Sequence, residues 1–296
     1  MNGVVIIDKP AGLTSHDVVN RVRRILQQRA VGHLGTLDPI ATGVLPLVIG
    51  SFTRLAQFYT SAEKVYEGSV RFGFATDTYD CEGEPTTEVK QVSMTRDELE
   101  SLASHFRGTI EQLPPPFSAK KIHGVPAYKL ARKHKEVALQ PVQVEIKSLD
   151  IVSVEGDRAN FRAQVASGTY VRSIAHEMGR LAGCGAHLDA LRRTKVAEFS
   201  IEDALTLDQL SQCNVPESCF VHPRKLLPEL PCVACDDANA ARIRTGRTVN
   251  LPELSRARQV KVFQGQKELI AIATRVAGTL FHPRIVFVAE VAQQTT

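Results

Sequence analysis

The stretch Gly32-His33-Leu34-Gly35-Thr36-Leu37-Asp38-Pro39-Ile40-Ala41-Thr42-Gly43-Val44-Leu45-Pro46 does most to limit what this chain can fold into. It holds a single acid, and a proline follows that acid directly. Pro39 fixes its own φ and steers Asp38 away from the helical region. The apolar run Val44-Leu45-Pro46-Leu47-Val48-Ile49 reads as a buried strand. Asp38 therefore belongs to a stiff loop leading into a core strand, and such loops commonly carry functional side chains. An Asp-Pro pair is also an ordinary turn former, so this stretch alone leaves both readings open.

The length of 296 residues favours two domains, or one large domain with a smaller one attached. With 43% hydrophobic and 23% charged residues the composition is that of a soluble globular protein. The formal charge of +4 is too small to indicate a nucleic-acid partner by itself. The apolar run near the N-terminus, Val4 to Ile7, ends at Asp8 and lacks the pattern of a signal peptide. No run approaches the length of a membrane span. The 6 cysteines are sparse, and the expected setting is a cytoplasm with reduced thiols. Cys232-Val-Ala-Cys235 is a lone C-x-x-C, whereas a zinc ribbon needs a second pair of similar spacing. No metal or cofactor motif is visible, so the expected chemistry is cofactor-free.

The pattern along the chain predicts a strand at Val4–Asp8. A helix follows, capped by Ser15, with Val18, Val19, Val22, Ile25 and Leu26 on its apolar face. A strand runs from Val65, and Thr95-Arg96-Asp97-Glu98 is a capping box that opens another helix. Residues 117–135 hold Lys120, Lys121, Lys129, Arg132, Lys133 and Lys135 without an acid, and they include His123, Tyr128 and His134. A basic, aromatic-bearing excursion suits a phosphate backbone, and it equally suits a solvated surface loop. Residues 142–154 and 159–165 form an expected hairpin, and a helix begins near Tyr170 with Arg172 in its first turn. Lys195–Phe199 reads as a separate returning strand. Pro216, Pro223, Pro228 and Pro231 mark an expected linker, followed by one short helix and several short strands.

Three separated segments carry side chains suited to one site. Asp38 is a candidate nucleophile or acid-base group. Arg172 can hold a carboxylate ionised and aim it, and it can as well pair on the surface. Tyr66 can stack on a planar ring, and it can as well be packing. No second acid stands beside Asp38 in sequence; Asp77 and Asp80, the next aspartates downstream, are the nearest candidates. A glycosidase ordinarily needs two carboxylates at one site.

Asp8-Lys9-Pro10-x-Gly12-x-Thr14-Ser15, the Gly35 to Pro46 motif, Lys64-x-Tyr66, Ser118-Ala119-x-Lys121 with Ala127-Tyr128 and Ala131-Arg132, Gly168-Thr169-Tyr170-Val171-Arg172-Ser173 and Leu191-Arg192-Arg193 follow one another in order. Together they resemble the motifs of the bacterial tRNA pseudouridine-55 synthases, the TruB family. The resemblance covers about residues 3 to 200. It implies an α/β (α+β) pseudouridine-synthase fold, a central mixed and mostly antiparallel sheet flanked by helices. A catalytic domain over 1–228 would carry a thumb-like basic insertion at about 117–140, and a PUA-type RNA-binding domain would occupy 229–296.

The resemblance further implies cofactor-free isomerisation of the T-loop uridine at tRNA position 55, after the base is flipped out. Asp38 would attack uracil C6 or ribose C1′. Tyr66 would stack on the base and take the C5 proton, and Arg172 would orient Asp38. Tyr170 and Leu191 would line the uracil pocket, and His33 would contact flipped nucleotides. Lys120, Lys121, Lys129, Arg132 and Lys133 would bind RNA. The partner implied is the tRNA T-arm stem-loop, with no guide RNA, membrane or obligate protein partner. The alternative is a protein that grips and folds the tRNA elbow without catalysis. Asp38 argues against it, because a carboxylate beside polyanionic RNA costs affinity.

Overall fold

The computed structural model describes residues 1–118, 139–253 and 256–288, with the backbone of 121–122 and 125–126. The chain begins β1 (Gly3–Lys9), α1 (Ser15–Ile25), β2 (Val31–His33), β3 (Thr42–Ile49), β4 (Lys64–Phe72), α2 (Arg96–Ser104) and β5 (Gly108–Gln112). After a two-strand ladder, β6 (Lys121–Ile122) with β7 (Val125–Pro126), come β8 (Val142–Glu155), β9 (Arg158–Val165), α3 (Val171–Leu181), β10 (Ala186–Val196) and β11 (Phe199–Ser200). The remainder holds α4 (Leu207–Gln212), β12 (Cys232–Cys235), α5 (Asp237–Arg244), β13 (Val249–Asn250), β14 (Gln259–Gln264), β15 (Glu268–Ala277) and β16 (Leu280–Val286). None of the described helices is long and apolar enough to cross a membrane.

A nine-stranded sheet runs β1-β3-β10-β4-β9-β8-β5, with β2 added on β3 and β11 on β10. Its pairs are antiparallel except β3 with β10. That is the mixed, mostly antiparallel sheet that the family resemblance implies. β10 lies inside the sheet between β3 and β4, so Leu191 on β10 and Tyr66 on β4 share one region of it.

The unbroken apolar runs of β1 and β3 have a physical cause: both faces are buried. Val5, Ile7, Leu45, Leu47 and Ile49 join Val18, Val19 and Val22 of α1 in one core. Val4, Ile6, Val44 and Val48 turn the other way, toward Phe52, Leu55 and Tyr59. That second core continues into Phe263, Leu269, Ile272 and Ile285 of the C-terminal sheet, whose five strands run β12-β14-β15-β16-β13. The two sheets therefore share a core.

Three local expectations change. Thr14, not Ser15, caps α1: its side chain accepts from Asp17 N–H while the Asp17 carboxylate accepts from Thr14 N–H. Ser15 is freed to bond the Asp38 loop. β10 is one strand, not a short segment followed by a separate strand. Register shifts at Leu188/Ala190 and Arg193/Lys195 break its two-residue period and hide it in the sequence. The proline-rich segment is no free linker. Leu226 and Leu227 are fully buried, and Val221 N–H donates to Val4 O at 2.7 Å. The buried Lys261 ammonium donates to the carbonyls of Arg224 and Leu226.

Candidate active site

The Asp38 loop is held almost entirely through its backbone. Ser15 Oγ accepts from Leu37 N–H at 2.8 Å and donates to Leu37 O at 3.1 Å. The buried Lys9 ammonium donates to Pro10 O, Leu13 O and Pro39 O, and Gly12 N–H also reaches Pro39 O. Burial lowers the Lys9 pKa to about 8, and the Asp38 charge opposes that shift. Arg193, with no exposed surface, spends its guanidinium on Gly35 O, Thr36 O and Val44 O. Gly43 must be glycine: its φ is +100°, and a Cβ there would stand 2.2 Å from Arg193 O. Each of these contacts fixes main chain and leaves the Asp38 carboxylate for other work.

Arg172, at the start of α3, meets that carboxylate. Its Nε lies 2.9 Å from Asp38 Oδ2, a charge contact too bent to count as a hydrogen bond. Its Nη1 lies 3.4 Å from Asp80 Oδ2 and donates to Thr78 O, and Nη2 donates to Phe117 O at 3.0 Å. The guanidinium is thus locked by four partners on three segments. Burial raises the Asp38 pKa, the Arg172 charge opposes that shift, and the Asp80 charge adds to it.

A cavity of about 250 Å³ opens at Asp38. Tyr66, Tyr170, Arg172, Leu191, Lys64 and Arg193 line it, so segments far apart in sequence meet as expected. Gln112 fixes Tyr170 from behind, accepting from its N–H at 2.7 Å and donating to its carbonyl at 3.1 Å. Burial raises the Tyr170 pKa, which keeps the phenol protonated. His33 ends β2 and does not line the cavity. Burial lowers its pKa, and the positive charges of Arg193 and His16 add to that shift. Lys120, Lys129, Arg132 and Lys133 lie outside the described residues, as does the side chain of Lys121.

Of the two downstream aspartates offered as a second acid, Asp80 stands beside Asp38, on the other side of Arg172. This residue is buried, accepts from Thr78 Oγ1 at 2.5 Å and from Glu82 N–H at 3.2 Å, and shares Arg172 with Asp38. It does not line the cavity, so it cannot act on a ligand there. Asp77 is a turn residue, accepting from Glu84 N–H. The sequence reading also missed the structural parts played by Arg193, Lys9 and Gln112. A signal existed for the first two: each is a cation inside or beside an apolar strand, which is rarely buried without a task. Gln112 carried none. Chemically, the arrangement offers one ionisable nucleophile, two aromatic side chains with hydroxyls, Tyr66 and Tyr170, and a cavity roomy enough for a nucleobase.

Comparison with known proteins bears on this site. Residues 23–171 match the TruB family pseudouridylate synthase N-terminal domain, and residues 172–226 match the tRNA pseudouridylate synthase B C-terminal domain. The chain is 50% identical to the tRNA pseudouridine synthase B of Solibacter usitatus, over 97% of this chain and 100% of that one. It is 39% identical to the tRNA pseudouridine synthase B of Aquifex aeolicus, over 96% of this chain and 99% of that one. Among solved structures it resembles a chain of an H/ACA RNP bound to a substrate RNA containing 2′-deoxyuridine. There the TM-score is 0.70 at 25% identity, covering 97% of this chain and 85% of that chain.

Proposed function

The chain belongs to the TruB family of pseudouridylate synthases, and from that premise we propose that it isomerises the T-loop uridine of tRNA at position 55. The observation that carries the reading is Asp38. It stands on a backbone-clamped loop, with its carboxylate against Arg172 and open to a cavity walled by Tyr66. The target base leaves its stack and enters this cavity beside the Tyr66 ring. Asp38 attacks uracil C6 or ribose C1′, the N1–C1′ bond breaks, and the base turns within the enclosed space. A C5–C1′ bond then forms, and the bond to Asp38 breaks and returns its electron pair to the carboxylate. The Tyr66 hydroxyl takes the C5 proton while N1 gains one, so the product is an isomer of the substrate. Arg172 keeps Asp38 aimed, and Tyr170 and Leu191 bound the base.

The stand-alone reading draws on the greater similarity to bacterial tRNA enzymes, 50% against 25% for the H/ACA chain. The basic insertion at about 117–140 serves as the thumb on the T-arm, and His33 contacts nucleotides flipped beside the target. The division at 228/229 sets a PUA-type RNA-binding unit over 229–296, and the enzyme works in the cytoplasm without a guide RNA. Simple base hydrolysis is disfavoured by Asp80, since the second carboxylate is sealed away from the cavity.

The test is a T-arm stem-loop transcript incubated with the purified chain, followed by pseudouridine mapping at every uridine. Conversion of one T-loop uridine without added RNA or protein is expected. Binding without conversion returns the elbow-gripping alternative. Release of free uracil, or conversion only after a guide RNA is supplied, overturns the reading.

A further inference from the structure

Arg172 is answered by Asp38 and Asp80, but another cation in the same cavity has no such answer. Lys64, half-buried at the start of β4, donates to Ala62 O at 2.7 Å. Arg193 lies beside it and bonds only carbonyls. Among the described residues neither cation has a carboxylate partner. The two meet at Gly35, where the position a Cβ would take lies 3.5 Å from Arg193 Nη1 and 3.7 Å from Lys64 Cε. Burial, with the Arg193 charge adding, lowers the Lys64 pKa to about 8. Thr169 lines the same cavity, and its Oγ1 is buried without a hydrogen-bond partner. The charge that acts on Lys64 is that of Arg193, and Asp38 is paired with Arg172.

Two desolvated like charges side by side cost stability unless an anion arrives. Gly35 has φ +110°, a conformation that suits glycine, and the missing side chain leaves the approach to both cations open. We propose that Lys64, backed by Arg193 and assisted by the Thr169 hydroxyl, is the subsite for a phosphodiester flanking the nucleotide whose base enters the cavity. The inference rests on the functional reading above, which makes the incoming anion an RNA phosphate. The subsite grips the target nucleotide by its backbone, while Arg172 holds Asp38. A base that has lost its glycosidic bond then turns relative to an anchored sugar–phosphate.

The test pairs Lys64→Met with stem-loop RNAs carrying one neutral methylphosphonate linkage. The linkage is placed 5′ of the target uridine, 3′ of it, or at a remote site. Binding to wild type should weaken about tenfold for one of the two flanking linkages and little for the remote one. Lys64→Met should bind the all-phosphate RNA about tenfold more weakly and be indifferent to that same linkage, with a log–log salt slope smaller by about one. Lys64→Arg should restore both sensitivities. The melting temperature of Lys64→Met should be unchanged or raised, since a purely structural lysine would lower it. Equal, additive losses on charged and neutral RNAs would overturn the proposal. So would a fall in the rate at saturating RNA with binding unchanged, because Lys64 would then act on the reacting base. The binding arm needs no turnover, so failure of the subsite and failure of the isomerase reading are read separately.

Discussion

The loops at residues 34–41 and 76–83 offer carboxylates to one guanidinium, and the surroundings of the two acids differ. Asp38 sits on a loop whose main chain is tied by Ser15, Lys9 and Arg193, while its own side chain is 35% exposed at the cavity. The Asp80 side chain is 5% exposed and filled by Thr78 Oγ1, Glu82 N–H and Arg172. An acid whose lone pairs are already taken cannot attack or exchange protons with a ligand; one held mainly by its backbone can. Arg172 joins them, so the sealed acid fixes the guanidinium and the guanidinium aims the open one.

The comparison breaks most sharply at Asp38→Asn. The substitution keeps the shape and removes the nucleophile, so turnover on a T-arm stem-loop should fall by ~10⁴-fold or more while RNA binding persists. Activity within tenfold of wild type would put the two acids on an equal footing and end the nucleophile role. Arg172→Lys should fall next, by ~10²- to 10³-fold in single-turnover rate. An ammonium cannot hold two carboxylates and two carbonyls in the planar array seen here. Tyr66→Phe keeps the ring, and loss of the general base should slow turnover about a hundredfold. A loss of only about fivefold would match one hydrogen bond and remove that role.

Asp80→Asn should have the smallest effect, about tenfold on rate, and it sharpens the comparison through pH. Asp38 must be ionised to attack, so kcat/KM falls as pH drops through its raised pKa. The Asp80 charge pushes that pKa up and the Arg172 charge pulls it down. Removing the first should move the acid limb to lower pH, and Arg172→Met should move it to higher pH. Limbs that shift together, or not at all, would show that Asp80 holds no electrostatic tie to Asp38.

Most of the site was legible because it is built from local signals. The Asp-Pro loop, the Lys64-x-Tyr66 strand and the first turn of α3 each announce themselves, and the family resemblance joins them. Asp80 was not legible as a partner, because nothing in Thr78-Tyr79-Asp80 shows that the loop folds back onto α3. Arg193 was seen only as part of a motif; its carbonyl contacts depend on where β10 crosses β3. The fold follows the same division. Hairpins and capped helices are read from short stretches, whereas β10 escapes because its bulges break the alternation. The proline-rich segment was misjudged because composition reports turns and not what packs on them.

The shared core has a consequence for where this chain can be cut. The Phe52 ring meets Phe287, and Val4, Ile6, Val44, Val48 and Leu55 belong to the same core, so a chain ended near Leu230 would open that core to water. At about 1.5–3 kcal/mol for each large side chain, the exposure is of the order of a whole domain's stability. Strands β14, β15 and β16 thus complete the burial of a core that β1 and β3 begin. The part they play with RNA is reached by changing their surface charges in the intact chain, not by deleting them.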